Sequence, residues 1–363
     1  MNQRERFHAI MDYRSFDRLP VWYFGQWRET MARWRQEGLD ESVGIPAATG
    51  MDPDWEQGMW GHHGLVRVGP IPESPGEVLE DTDDWQVVRT ALGAVQRVGK
   101  HGSSIPEHLE EALKPTRESW DVFKRMLDPD DPRRRPAGWE AKAAELAKRE
   151  EPIVMLGGSL FGWPREWLGL KAISYLSYDD PELYQEITET VADHFMRLLG
   201  PVLERVPVDL AYFFEDCCGR NGPLFSPTTY RAFYDQHYRR MVEFYHGHGV
   251  RWVLLDSDGK TDPLIPCWLE SGIDILFPIE VGVWQADPVA LRQQYGTSLR
   301  MMGGVDKHVI PKGEAAMRAH LERLRPLVEE GGFIPLPDHR IPPSCSLDQF
   351  REYVRVFQDV FGR

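Results

Sequence analysis

Fully apolar runs alternate with amphipathic segments through the second half of this chain. A short apolar run bounded by helices is typical of a parallel strand that is covered on both faces. Six such runs follow residue 150: Ile153–Leu156, Val208–Phe214, Val250–Leu255, Ile273–Ile279, Leu299–Met302 and Phe333–Leu336. The pattern therefore predicts a parallel sheet built from these strands.

The segments between the runs carry apolar residues at helical spacing. Several begin with Ser or Asp followed directly by Pro, as at Ser226-Pro227, Asp262-Pro263 and Asp287-Pro288. The cap oxygen accepts an N–H that the first turn leaves unpaired, and Pro fits that turn. We expect helices over Arg165–Tyr178, Pro181–Arg205, Pro227–His246, Pro263–Ser271, Pro288–Gln294, Gly313–Glu330 and Leu347–Phe361.

The first half of the chain is less regular. Residues 3–12 predict a short amphipathic helix, and Leu19–Phe24 predicts a buried strand. Residues 45–110 hold many Gly and Pro, with short alternating runs at Gly64–Val68 and Trp85–Arg89. Because their apolar content is too low for a separate core, we interpret residues 45–110 as an excursion from the main domain.

The strand count favours a (β/α)8 barrel, or TIM barrel, over an open sheet. The six later strands, together with Leu19–Phe24 and one strand from residues 64–98, give eight strands, which is the number that closes such a barrel. We therefore expect residues 1–363 to form a single α/β domain. Residues 45–110 then lie as an irregular excursion near the barrel mouth, which they partly cover.

Composition and charge exclude several classes of protein. The 363 residues are 42% apolar and 27% charged, and the net charge of −15 argues against binding nucleic acid or an anionic membrane. No apolar run reaches the length of about 20 residues that a membrane span needs. The N-terminal residues are too polar for a signal peptide, and four cysteines are too few for a disulfide framework. We therefore expect a cytoplasmic protein.

Acidic residues follow five consecutive predicted strands. In a (β/α)8 barrel the carboxyl ends of the strands hold the catalytic groups, because they meet in one bowl. Buried carboxylates that converge must bind a cation or share protons, although some acids at such positions cap the next helix. The residues concerned are Glu215, Asp216, Asp256, Asp258, Glu280, Asp306 and Asp338, with His339 next to the last.

Two interpretations of these strand ends stay open. In the first, Asp256, Asp258, Glu280 and His339 bind a divalent metal, since carboxylate and imidazole ligands suit zinc, manganese or magnesium. In the second, the pocket is polar and hydrogen-bonded without a metal, and Asp216 or Asp258 acts as general acid or base with His339 as its partner.

The remaining candidate residues would contact substrate. Many Trp and Phe residues near the N-terminus suit an apolar or aromatic small molecule, although they could equally fill the core. The predicted substrate-binding residues are Trp22, Phe24, Gln26, Glu215, Lys260, Asp306 and Asp338.

Several stretches together resemble the uroporphyrinogen decarboxylase superfamily. They are Glu215-Asp216 with Gly222-Pro223-Leu224-Phe225-Ser226-Pro227, Asp256-Ser257-Asp258-Gly259, Pro278-Ile279-Glu280, Gly303-Gly304-Val305-Asp306-Lys307 and Asp338-His339-Arg340. The superfamily holds haem-pathway decarboxylases and cobalamin-dependent methyltransferases that act on thiols. The resemblance implies a (β/α)8 barrel with a deep pocket at the carboxyl ends of its strands.

The motifs favour the methyltransferase branch of that superfamily. Its decarboxylases carry Arg-Gln-Ala-Gly-Arg-Tyr near the N-terminus, where this chain has Phe24-Gly25-Gln26-Trp27-Arg28-Glu29-Thr30 and lacks the paired arginines. Its methyltransferases bind zinc through His-x-Cys and a later Cys, and the matching positions here are Asp256, Asp258 and His339. The resemblance therefore implies a metal site, if any, that is made of oxygen and nitrogen ligands.

The leading hypothesis from the resemblance is a methyltransferase or demethylase that moves a one-carbon group on a small substrate or corrinoid. Decarboxylation of uroporphyrinogen in porphyrin biosynthesis is the alternative, and a non-catalytic binder of a corrinoid or small molecule is the third. The candidate cofactors are zinc and a corrinoid that carries the methyl group. The candidate partners are a small-molecule substrate, a corrinoid protein and a second copy of the chain in a homodimer.

Overall fold

A computed structural model describes residues 1–100 and 106–362 of the chain. Residues 101–105, which belong to the predicted excursion, and residue 363 lie outside the described part. Its strands, in chain order, are β1 (Glu77–Asp81), β2 (Trp85–Arg89), β3 (Val95–Gly99), β4 (Glu107–Glu110), β5 (Val154–Gly158), β6 (Leu210–Phe214), β7 (Cys218–Gly219), β8 (Gly222–Pro223), β9 (Trp252–Asp256), β10 (Ile275–Ile279), β11 (Arg300–Val305) and β12 (Phe333–Pro337).

The helices surround the strands and join most of them in sequence. They are α1 (Gln3–Met11), α2 (Arg28–Gln36), α3 (Ile45–Thr49), α4 (Arg117–Phe123), α5 (Trp139–Leu146), α6 (Gly162–Asp179), α7 (Pro181–Leu203), α8 (Pro227–Phe233), α9 (Asp235–Gly247), α10 (Ile265–Glu270), α11 (Pro288–Tyr295), α12 (Glu314–Glu330) and α13 (Leu347–Phe361). Within residues 1–100 and 106–362, none combines the length and apolar character that a membrane-spanning helix requires.

All six apolar runs after residue 150 form strands of one parallel sheet, as predicted. The order β12-β11-β10-β9-β6-β5 places each strand beside the strand of this sheet that comes next along the chain, and only the small β7-β8 pair interrupts the series. Helices connect these strands, so the sheet consists of consecutive β-α units. This is the architecture of the predicted (β/α)8 barrel, and it brings the carboxyl ends of six strands to one side.

Local capping explains where several helices begin. Ser226 accepts a hydrogen bond from the Thr229 amide at the start of α8, and Asp287 accepts one from the Val289 amide at the start of α11. Both predicted caps are confirmed. The predicted cap at Asp262 is wrong, because residues 262–264 form a turn and α10 begins only at Ile265.

Residues Leu19–Phe24, which the sequence predicts as a strand, form no regular ladder with another strand. Pro20 has no N–H to donate. The amide of Val21 donates to the carboxylate of Asp52 over 2.9 Å instead of to a neighbouring strand. One parallel bridge, between Gln26 and Ile341, places the end of this segment beside the chain that follows β12.

The expected eighth strand from residues 64–98 does not join the parallel sheet. Within that range β1, β2 and β3 form an antiparallel sheet with β4. The alternating run Trp85–Arg89 coincides with β2, as predicted, whereas Gly64–Val68 is not a strand. At the edge of β5, two imidazoles take the place of a neighbouring strand. The rings of His62 and His63 contact the carbonyl oxygens of Leu156 and Val154 over 2.9 Å each.

Candidate active site

Three of the four predicted metal ligands converge beyond the carboxyl ends of β9, β10 and β12. Asp258, Glu280 and His339 each place a possible ligand atom within 4.8 Å of the other two. His339 Nε2 lies 3.2 Å from Asp258 Oδ2. We call Asp258, Glu280 and His339 the acid–histidine cluster.

Polar atoms in the acid–histidine cluster retain unused bonding capacity. Asp258 Oδ1 and His339 Nδ1 are buried and have no hydrogen-bond partner in the described part of the chain. Glu280 accepts a hydrogen bond from the Gly259 amide over 3.0 Å. Burial, followed by the charge of Asp258, raises the pKa of Glu280 to about 8. Two carboxylates and one imidazole at this spacing fit a divalent cation that keeps an open position for a substrate atom.

The fourth predicted ligand, Asp256, lies outside the acid–histidine cluster. Its carboxylate accepts a short hydrogen bond from the hydroxyl of Tyr212, which faces it from β6. Burial and then the charge of Asp258 raise the pKa of Asp256 well above its usual range. Asp256 is therefore placed to share a proton with Tyr212.

Two aromatic rings lie close to His339. The centroid of its imidazole lies 5.5 Å from that of Phe24 and 5.6 Å from that of Trp27. Phe24 in turn contacts Phe277 edge to face at 4.6 Å. The Arg340 guanidinium lies 5.8 Å from the Phe24 ring centroid. Of the predicted substrate contacts, Phe24 thus adjoins the acid–histidine cluster.

The two neighbours of Phe24 among the predicted substrate contacts have internal partners. Trp22 is 2% exposed and its ring lies 6.2 Å from that of Trp55, in the core. Gln26 accepts a hydrogen bond from the Tyr23 hydroxyl over 2.8 Å.

The carboxylates of Glu215 and Asp338 accept hydrogen bonds from backbone amides. The Glu215 carboxylate accepts hydrogen bonds from residues 160, 161 and 162 at the start of α6, over 2.7 to 3.0 Å. Asp338 accepts hydrogen bonds from Val281, Gly282 and Lys307, whose amides follow β10 and β11. Both carboxylates are almost completely buried, so this geometry explains them as supports for the strand-end loops.

Lys260 and Asp306 also lie apart from the acid–histidine cluster. Lys260 is exposed and lines a surface groove with Trp284. Asp306 accepts a hydrogen bond from the His308 amide over 2.9 Å and caps a short 3-10 helix. The charge of Lys307 acts on the cluster, because it opposes the rise in the pKa of Glu280.

Asp216 pairs with Arg165, whereas Asp258 contacts His339. The Asp216 carboxylate lies 2.9 Å from Arg165 Nη1, and the backbone φ of Asp216 is 41°, a left-handed conformation that few residues other than Gly adopt. The sequence-based pairing of Asp216 with His339 as acid and base has no contact in the structure to support it.

Two further residues near the site, Glu56 and Tyr212, are not among those that the sequence pattern indicates. Glu56 Oε1 is buried without a hydrogen-bond partner among the described residues, and burial followed by the charge of Asp54 raises the pKa of Glu56 to about 8. It comes from a loop, where no periodicity indicates which way a side chain points. Tyr212 lies at an alternate position of β6, so inward-facing strand residues are the signal that could have revealed it.

Comparison with known proteins assigns the chain to a family by sequence and to a fold by structure. The uroporphyrinogen decarboxylase (URO-D) family model matches residues 107–360. A methyltransferase from Methanosarcina mazei aligns over 99% of both chains with a TM-score of 0.60 and 14% identity. A B12-independent methionine synthase from Shewanella sp. W3-18-1 aligns over 95% of this chain and 97% of its own, with a TM-score of 0.44 and 11% identity. No protein of curated function matches by sequence.

Proposed function

The chain belongs to the uroporphyrinogen decarboxylase family, and we propose that it is a methyltransferase or demethylase that moves a one-carbon group on a small substrate. The observation that carries the proposal is the convergence of Asp258, Glu280 and His339 within 4.8 Å. The three side chains offer one nitrogen and two oxygen ligand atoms. Asp258 and His339 each also have a buried polar atom with no hydrogen-bond partner among the described residues. Together the three side chains provide a site for a divalent cation such as zinc.

The cation would be held by Asp258, Glu280 and His339. When bound, it lowers the pKa of a thiol or hydroxyl group, which is the activation that a methyl acceptor needs. The chain's own residues orient the site: the Gly259 amide fixes Glu280, and the rings of Phe24 and Trp27 limit the access of water to His339.

A second pair of residues, Tyr212 and Asp256, would take up and return the proton that the acceptor loses. Tyr212 donates a hydrogen bond to Asp256, and burial raises the pKa of both groups well above their usual ranges. A carboxyl group in that environment holds a proton readily. We assign Asp256 as a residue that stores or returns this proton.

The remaining parts of the proposal rest on the sequence motifs. We propose that a corrinoid carries the methyl group, either free or on a partner protein, and that the protein acts in the cytoplasm as a homodimer. The paired arginines that would hold a substrate with many carboxylates are missing from residues 24–30, and this supports methyl transfer over uroporphyrinogen decarboxylation.

The experiment uses the full chain loaded with zinc, methylcobalamin as donor and a panel of thiols and alcohols as acceptors. Cobalamin absorbance reports loss of the methyl group, and mass spectrometry identifies the methylated product. We expect transfer by the wild type and by Asp262→Asn, a matched change of an exposed acid in the same loop, and its loss in Asp258→Asn.

Two other results would contradict the proposal. Decarboxylation of uroporphyrinogen without methyl transfer would establish the alternative enzyme activity. Tight binding of cobalamin with neither reaction would indicate a non-catalytic binder.

A further inference from the structure

A run of exposed apolar side chains lies on the second half of α6. Leu170, Tyr175 and Tyr178 are 48%, 60% and 78% exposed. The helix is interrupted at Gly169, whose φ of 74° suits glycine, and it continues as a regular helix from residue 170 to Asp179. Contiguous exposed apolar surface of this kind is typical of sites where a protein binds another molecule.

Tyr175 lies midway between two exposed residues of opposite charge. Lys171 stands four residues before it and Asp179 four residues after it, so the three side chains follow one i±4 ridge of the helix. At a rise of about 1.5 Å per residue, each charge lies about 6 Å from Tyr175 along the helix axis. We call Lys171, Tyr175 and Asp179 the α6 ridge, which has a basic end and an acidic end on either side of a central ring.

The two charged ends of the α6 ridge are not paired inside the chain. Within residues 1–100 and 106–362, neither Lys171 nor Asp179 forms an ion pair or a side-chain hydrogen bond. The next acidic residues along the chain differ, since Asp180 and Glu182 both pair with Arg117, over 3.0 and 3.3 Å. Lys171 and Asp179 are therefore available to a second molecule.

Grooves run along both sides of the α6 ridge. One groove, of ≈ 610 Å³, lies between α6 and the segment that follows β4, and Tyr175 lines it together with Pro115. The other, of ≈ 340 Å³, lies between α6 and the segment that joins β8 to α8, and Tyr178 lines it together with Phe225. A projecting row of side chains beside a groove is the shape that helix packing requires of both partners.

The charges of this surface are complementary to those of a second copy of the same surface. In a two-fold symmetric dimer both subunits use the same patch. When two copies of α6 cross antiparallel at Tyr175, Lys171 of each copy faces the end of the other ridge that carries Asp179. Two ion pairs can then form, one on each side of the symmetry axis. A parallel crossing would instead place Lys171 against Lys171 and Asp179 against Asp179.

We propose that the α6 ridge is the interface of a homodimer of this chain, in which the ridges of two copies cross antiparallel at Tyr175. The rings of Tyr175 and Tyr178 pack into the grooves of the other copy, and Lys171 of each copy pairs with Asp179 of the other. This inference rests on the homodimer in the proposed function and gives that homodimer a specific surface. It does not depend on the chemistry assigned to the acid–histidine cluster.

Analytical ultracentrifugation of the full chain over a concentration series tests the interface. We expect the wild type to sediment as a dimer. Lys171→Glu and Asp179→Lys should each raise the dimer Kd by about tenfold or more, because like charges then face each other at both ends of the interface. Tyr175→Ala should weaken the dimer by a similar factor, since it removes the central ring. An equal mixture of Lys171→Glu and Asp179→Lys should restore the dimer, because each copy then offers the charge that the other needs.

Lys148→Glu is the matched control, because it reverses the charge of a 70% exposed side chain in the turn after α5, outside the lining of both grooves. Its dimer Kd should equal that of the wild type, and thermal unfolding shows whether each variant is folded. A wild type that stays monomeric would overturn the homodimer together with this interface.

A dimer whose Kd is unchanged in folded Lys171→Glu and Tyr175→Ala would overturn the interface alone and leave a homodimer that uses another surface. Failure of the mixed variants to form a dimer would reject the antiparallel pairing of Lys171 with Asp179. Each of these outcomes is separate from methyl transfer, which the cobalamin assay measures, so failure of the interface and failure of the proposed reaction are distinguishable.

Discussion

His339 Nε2 lies 3.2 Å from Asp258 Oδ2, although the two residues follow strands that are not neighbours. The sheet order places β10 and β11 between β9 and β12. In a flat sheet, three steps of about 4.8 Å would separate the outer strands by about 14 Å. The contact therefore requires a curved sheet with both side chains on its inner side. This curvature, as in a barrel, assembles the acid–histidine cluster.

The first prediction concerns Glu215, which we assign to the scaffold. Glu215→Gln should lower the free energy of unfolding by about 1–3 kcal/mol, because an amide offers one oxygen where the carboxylate bonds three buried amides. Urea denaturation measures the change. Glu270→Gln, on an exposed side chain, should alter stability by less than about 0.5 kcal/mol. Unchanged stability with lost substrate binding would instead identify Glu215 as a substrate contact.

The second prediction concerns the pH dependence that Glu56 imposes. Its pKa is about 8 in the folded protein and near 4.5 in the unfolded chain, so the folded state binds more protons between these values. Stability from this group is present below pH 4.5 and falls as the pH rises towards 8. Glu56→Gln should therefore be about 2–4 kcal/mol more stable than the wild type above pH 8 and similar to it near pH 4.5.

Thermal unfolding of the two proteins across that pH range, after treatment with a chelator, measures the effect of Glu56. The same difference in stability at both ends of the range would show that Glu56 is not a buried, proton-binding group.

The third prediction concerns the alternative substrate. The chain lacks the paired arginines of the decarboxylase motif, and the site holds several carboxylates. Freshly reduced uroporphyrinogen should therefore remain unchanged when it is incubated with the protein, as chromatography of the oxidised porphyrins would show. Efficient formation of coproporphyrinogen would reverse the order of the two hypotheses.

Much of the fold follows from the sequence because the parallel strands are buried on both faces. Their apolar runs are distinct from the helices around them, and all six form strands. Leu19–Phe24 also looks like a strand, but Asp52, 31 residues beyond Val21, takes its backbone amide. A long-range bond between a side chain and the backbone leaves no periodic signal, so the sequence could not indicate this outcome.

The sequence predicts where the candidate site lies better than it predicts the role of each residue there. Strand-end spacing brings Asp258, Glu280 and His339 together, as barrel geometry requires. The same spacing does not distinguish them from Glu215 and Asp338, whose carboxylates bind backbone amides of neighbouring loops. Loop residues such as Glu56 and Trp60 act on Tyr212 through tertiary proximity that only the structure reveals.

The central claim is that Asp258, Glu280 and His339 hold a divalent cation, and metal content tests it most directly. Wild type, Asp258→Asn and the control Asp262→Asn would be equilibrated with zinc, desalted and subjected to elemental analysis, with thermal unfolding as a check of folding. We predict one zinc per chain in the wild type and in Asp262→Asn. We predict none in Asp258→Asn, at equal or higher stability of the metal-free protein, because one of several crowded carboxylates is removed. Wild type without zinc, or a folded Asp258→Asn that retains it, would contradict the account.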